Sequence, residues 1–125
     1  ATTYYGEGAP MPAGTVLTVH FTILGQPFMA LNGGPHFTFS PAVSFIISCD
    51  TQEEIDTYWE RLSEGGTTEC GGWLRDRYGV SWQIVPSIIT EMLQDPVRHG
   101  RVMEAILQME KLDIAVIQAT YDAAL

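Results

Sequence analysis

The side chains able to do chemistry in this chain are few and mostly neutral. Imidazoles stand at His20, His36 and His99, carboxamides at Asn32 and Gln83, a hydroxyl at Ser44 within an apolar run, and an indole at Trp73. A single imidazole flanked by carboxamides suits general acid-base work: histidine titrates near neutrality, and amides orient a ligand without adding charge. His20 and Gln83 are therefore the expected catalytic residues, with Asn32, Ser44, Trp73 and His36 as ligand-binding groups. Trp73 offers a flat face for stacking. His36, in Gly34-Pro35-His36-Phe37, is either a gate or anion contact, or a solvated loop histidine without a role; His99 belongs to the surface. Arg75 and Arg77 bracket Asp76, which admits a local ion pair or an anionic substrate. The chain has no Gly-x-Ser-x-Gly, no Gly-Lys-Ser/Thr phosphate loop and no His-Glu-x-x-His.

The elements that must position these groups follow from periodicity. Leu17, Val19, Phe21 and Ile23 alternate with Val16, Thr18, His20 and Thr22, a strand whose apolar row faces a helix layer and whose other row, with His20, faces a cleft. A turn at Gly25-Gln26 leads to a strand over residues 27–31, stopped by Asn32-Gly33-Gly34-Pro35. The same alternation groups Phe28, Ala30 and Asn32, then Ala42, Ser44, Ile46 and Ser48, then Ser81, Gln83 and Val85. His20, Asn32, Ser44 and Gln83 are the polar members assigned to the cleft.

Residues 43–49 form a strand apolar enough to be central, and Thr51-x-x-Glu54 has the spacing of a helix-starting capping box. Ile55, Trp59 and Leu62 continue that helix until Gly65-Gly66. A short strand fits near Thr67. A hairpin follows, with strands over 70–74 and 80–85 around Asp76-Arg77-Tyr78-Gly79, where aspartate opens the turn and glycine closes it. Trp82, opposite in parity to Gln83, is expected in the core. Beyond Pro86 the apolar period becomes helical, with Asp95-Pro96 and Asp113 as helix starts. These methionine-bearing helices are packing elements or a dimer surface.

Bulk properties narrow the class. One domain is expected from 125 residues, of which 46% are hydrophobic and 17% charged. The net charge of −9 leaves no basic stripe to release counterions, which argues against nucleic acid and anionic membrane partners. No apolar run is long enough to span a bilayer. Cys49 and Cys70 are expected to be buried reduced thiols, which fits a cytoplasmic protein.

The order strand, helix, strand, strand, strand ending in Asp-x-x-Gly resembles the vicinal oxygen chelate superfamily of glyoxalase I, extradiol dioxygenases and bleomycin-resistance proteins. Within it, Phe28-Met29-Ala30-Leu31-Asn32-Gly33-Gly34-Pro35-His36-Phe37, Ser44-Phe45, Thr51 to Asp56, Trp59 and Cys70 to Gln83 are similar to the PhnB-like branch labelled 3-demethylubiquinone-9 3-methyltransferase. The resemblance implies an α+β fold of paired βαβββ modules in a curved mixed sheet. Residues 1–41 would be a first module lacking its opening strand and helix, 42–86 a complete second one, and 87–125 an appended helical extension. It further implies a bacterial, cytoplasmic, homodimeric protein with a small-molecule ligand, either an enzyme or a non-catalytic sequestering protein like the bleomycin-resistance proteins. Metal-using relatives hold a divalent ion with His, Glu or Gln. Here Ala42 and neutral Gln83 stand at such positions, so no metal or other cofactor is expected. The methyltransferase label conflicts with Asn32-Gly33-Gly34-Pro35, which leads toward a strand and not into a nucleotide-binding helix.

Overall fold

The computed structural model describes residues 1–124, which divide into two units, Ala1–Thr38 and a second beginning at Phe39. Mixed α+β architecture with two open sheets and four helices is seen among the described residues.

The first unit is a three-stranded antiparallel sheet, β1 (Thr2–Tyr4), β2 (Val16–Ile23) and β3 (Gln26–Leu31), in that order. β1 was not foreseen; it pairs with β2 through Thr2 and Val19, and Tyr5 N–H to Thr15 O at 2.7 Å closes the glycine-proline loop behind it. The β2–β3 turn is Leu24-Gly25, one residue earlier than expected, because Ile23 pairs with Gln26. Both turn residues have positive φ, +49° and +82°, the conformation that matches strand twist in a two-residue hairpin. Leucine is a poor occupant there, and Leu24 is wholly exposed. Leu24→Asn should therefore raise stability by about 0.5–1 kcal/mol by relieving left-handed strain, read as a higher urea midpoint; an unchanged midpoint would contradict this.

The β2–β3 register sets the faces. Phe21 lies opposite Phe28, with stacked rings 5.6 Å apart, and Val19 lies opposite Ala30. This apolar row was expected beneath helices, but the first unit contains none and Phe21 is 42% exposed.

The second unit holds β4 (Ser44–Cys49), α1 (Gln52–Ser63), β5 (Thr67–Thr68), a 3-10 turn (Cys70–Gly72), β6 (Trp73–Arg75), β7 (Ser81–Pro86), α2 (Ile89–Leu93), α3 (His99–Leu107) and α4 (Ile114–Ala123). Its sheet runs β4-β7-β6-β5, parallel between β4 and β7 and antiparallel elsewhere. A parallel pair needs a crossover, and α1 lies on that path. The Thr51 hydroxyl accepts the Glu54 N–H at 3.2 Å to start α1. Ile55, with Trp59 and Leu62, packs on Cys49, Leu74, Ile84 and Trp82, so one face of the sheet is greased. Burial pushes the Cys49 thiol up in pKa. Cys70, by contrast, is exposed, because the chain there is a 3-10 turn and not a strand.

The helices beyond Pro86 share this unit. Met92, Val102, Ile106, Leu112 and Ile117 form a second core, with Val85 of β7 against it. Gly71 and Gly72 donate backbone N–H groups to Met109 O and Glu110 O at 2.7 and 2.9 Å. The Gln52 amide donates to Leu112 O at 3.0 Å and accepts from Ile114 N–H at 2.8 Å. The extension is thus joined to the module by packing and by main-chain bonds.

Asp113 caps α4 by accepting from Val116 N–H, as its position suggested. Asp95 accepts from Val97 and Arg98 N–H at 2.9 and 3.1 Å, and α3 starts only at His99. The Val97 backbone bond, then the Arg98 backbone bond, the Tyr121 hydroxyl and the Arg98 charge, hold the Asp95 carboxyl below the ordinary range, while partial desolvation opposes them. Gln52 and then Lys111, at 2.9 Å, do the same for Asp56. Lowered folded-state values mean that these contributions are complete above the unfolded carboxylate pKa and vanish as pH falls through the folded one. Stability should therefore fall below about pH 4. A series of urea midpoints against pH should show a shallower acid slope for Asp95→Asn than for the parent; identical slopes would contradict it.

Among the described residues no helix is long and apolar enough to cross a membrane.

Candidate ligand-binding site

The face of the second sheet opposite α1 carries the polar groups, and one carboxylate orders the strands that present them. Asp76 Oδ1 accepts from Tyr78 and Val80 N–H at 2.8 and 3.0 Å, and Oδ2 accepts from the Trp82 indole at 2.9 Å. Gly79 N–H donates to Asp76 O at 3.0 Å. Asp76 is therefore the organiser of the β6–β7 turn and not a partner of its flanking arginines; Arg75 instead approaches Glu69 at 3.8 Å.

With that turn fixed, register places residues in two rows across three strands. Ile46 of β4, Gln83 of β7 and Trp73 of β6 form one row. Ser44, Ser81 and Arg75 form the next. Neighbouring strands lie about 4.8 Å apart, so each row spans about 10 Å, the size of a compact organic molecule. Gln83 Nε2 donates to Ser44 Oγ at 2.9 Å, which ties the rows together. Ile46 is 62% exposed and Trp73 half-buried, so this face has an open apolar shoulder and a partly free indole.

Ser44, Trp73 and Gln83 are thus brought together on one face of one sheet. His20, Asn32 and His36 belong to the first unit. His20 is exposed and lies opposite Met29. Asn32 N–H donates to Leu17 O at 2.8 Å, which continues the register and puts Asn32 on the Leu17 and Val19 face, opposite that of His20. Its side-chain amide donates to Val16 O at 2.9 Å and its main-chain carbonyl accepts from Tyr5 OH, so Asn32 closes the sheet end. The expectation that His20 and Asn32 share a cleft face is corrected by this pairing. His36 is exposed in the loop after Gly34.

In the second row, Ser81 has no assigned role in the sequence, and Arg75 only the choice between an ion pair and an anionic substrate. Ser81 is only 1% exposed, and its Oγ, like Arg75 Nε, is buried without a hydrogen-bond partner among the described residues. The signal was present in the alternation Ser81, Gln83, Val85, and a serine directed at the sheet's polar face should have been weighed with Gln83.

This row offers a divalent ion few ligands: Ile46 and Trp73 supply none, and Gln83 supplies only its neutral carbonyl oxygen.

A parallel strand pair spanned by a helix and completed by two antiparallel strands is the βαβββ arrangement of glyoxalase-type proteins. Within that class the chain belongs to the PhnB-type family described as 3-demethylubiquinone-9 3-methyltransferase, whose model matches residues 1–85. It is similar to a PhnB protein from Bacillus cereus, described as a 3-demethylubiquinone-9 3-methyltransferase: 38% identity, a TM-score of 0.62, and coverage of 69% of this chain and 76% of that one. A Pseudomonas aeruginosa protein shares the fold at 20% identity and a TM-score of 0.50, over 63% of this chain and 71% of that one. No curated protein matches the chain.

Proposed function

We propose that this chain binds a compact organic molecule against the row of Ile46, Gln83 and Trp73. Trp73 stacks on the ligand, Gln83 and Ser44 orient it, and Ile46 supplies apolar contact. The observation that carries this reading is the Gln83–Ser44 hydrogen bond at 2.9 Å beside a partly exposed indole, a preorganised polar pair next to a stacking surface. The family description names methyl transfer, but the topology supports simple binding better. A nucleotide-type methyl donor is ordinarily held by a doubly wound parallel sheet with a glycine-rich strand-to-helix turn, and here β4 meets α1 through Asp50-Thr51.

Within the first unit, His20 is the residue we assign to general acid-base chemistry, and His36 a ligand contact of its own loop. A non-catalytic, sequestering role is favoured by one feature: neither row holds a histidine, a cysteine or a carboxylate. We further propose a cytoplasmic homodimer; the exposed Val19, Phe21 and Ile23 support the association and not the compartment. Calorimetric titration with a panel of small aromatic and keto acids should yield ligands whose affinity drops about tenfold, or about 1.4 kcal/mol, in both Gln83→Ala and Trp73→Ala. Equal affinity in parent and variants would remove the face from consideration. Turnover that persists in His20→Ala would remove the acid-base role.

A further inference from the structure

We infer that the row Ser44, Ser81 and Arg75 is an oxyanion subsite, so that the ligand of the neighbouring row carries a carboxylate or a similar anionic group. The inference rests on the binding face proposed above and adds the charge of its occupant. Three adjacent strands place these residues directly opposite one another, and all three offer donors: two hydroxyls and a guanidinium. Ser44 accepts from Gln83, which leaves its own O–H to donate. Ser81 Oγ and Arg75 Nε are shut off from solvent and have no protein partner among the described residues, although buried polar groups are ordinarily paired. Two unmet donors side by side, one on a cation, suit an anion.

The surroundings make the subsite selective. With fifteen acidic residues against six basic ones, the protein as a whole repels anions, so one that binds must be drawn by local donors. The guanidinium end is the way in: the Arg75 side chain is 43% exposed, and its contact with Glu69, at 3.8 Å, lies beyond hydrogen-bond length. An arriving carboxylate displaces that contact, and the guanidinium turns with it to bring the Nε and Ser81 protons into reach. The adjoining Trp73 then stacks on whatever flat group the carboxylate bears.

Benzoate and benzamide, which have the same shape and differ in charge, test this. In NMR titrations of the full chain, benzoate should bind at least tenfold more tightly than benzamide, with shifts at Ser44, Trp73 and Gln83. Arg75→Gln and Ser81→Ala should each abolish the preference while benzamide still binds, and Arg77→Gln should leave it intact. Equal affinity of the two probes, or a preference that survives in Arg75→Gln and Ser81→Ala, overturns the anion assignment and leaves the binding face standing. The second of these is the result expected if water alone bridges the two donors. Absence of any shift at the face with either probe overturns both.

Discussion

Gly66→Ala is expected to unfold the second unit. An added Cβ would stand 2.0 Å from Arg75 O and 2.8 Å from the Asp76 carbonyl carbon, both main-chain atoms that no side-chain rotation can clear. Relief requires separating the segment between α1 and β5 from the end of β6, and that end leads directly into the Asp76 turn. Because backbone must move in a sheet that has Leu74 and Ile84 fully buried behind it, the loss should exceed about 4 kcal/mol, the range reserved for disruption of a core. Circular dichroism and urea unfolding would show it as loss of the cooperative transition. A variant that unfolds within 1 kcal/mol of the parent, by the usual reckoning of about 1 kcal/mol for a tolerated change, would mean that the approach is looser than described.

The second large effect is expected at Asp76. Its carboxylate serves two backbone N–H groups and the Trp82 indole. A hydrogen bond to a charged acceptor contributes about 1.5–3 kcal/mol, and contributions within one network are not additive, so Asp76→Ala should cost about 3 kcal/mol overall. Asp76→Asn should recover part of this, because its carbonyl oxygen replaces one acceptor and its NH2 cannot replace the other. In a Trp82→Phe background the cost of Asp76→Ala should shrink, as the indole donor is already gone. Urea midpoints for the four members of that cycle would measure the coupling directly; additive losses would show that Asp76 and Trp82 act independently. Since this turn aligns Trp73 and Gln83, ligand affinity should fall along with stability.

How far the residues foretold the structure depended on whether the deciding chemistry was local. The capping pair Thr51 and Glu54, the Asp76 turn and the Asp113 cap were readable because each is set within four residues. The α3 start was displaced because the Asp95 carboxylate bonds to Val97 and Arg98 in a tight turn, leaving three residues between it and the helix. β1 has only three residues, and what makes it a strand is the edge of β2, not a pattern of its own. Cys70 looked like strand because it precedes Trp73, yet Gly71 at φ +78° bends the chain there.

Faces were the harder matter. Within β7 and β4 alternation put Ser81 and Gln83, and Ser44 and Ile46, in step, and the parallel register keeps them so. Across the β2–β3 hairpin it misled, because a two-residue turn at Leu24-Gly25 pairs even positions with odd ones. His20 therefore stands opposite Met29, and Asn32 falls in line with Leu17. Periodicity reports the two sides of one strand; only the turn tells which sides of two strands agree. The unmet donors on Arg75 and Ser81 lay further out of reach, since burial without a partner is a property of packing.

The most direct measurement is a backbone and side-chain NMR titration of the isotopically labelled full chain with the tightest ligand from the calorimetric panel. Saturable shifts should concentrate at Ser44, Ile46, Trp73 and Gln83, including the Gln83 side-chain amide. Saturable binding whose shifts fall elsewhere and leave those four residues unmoved would contradict the assignment of this face as the ligand site.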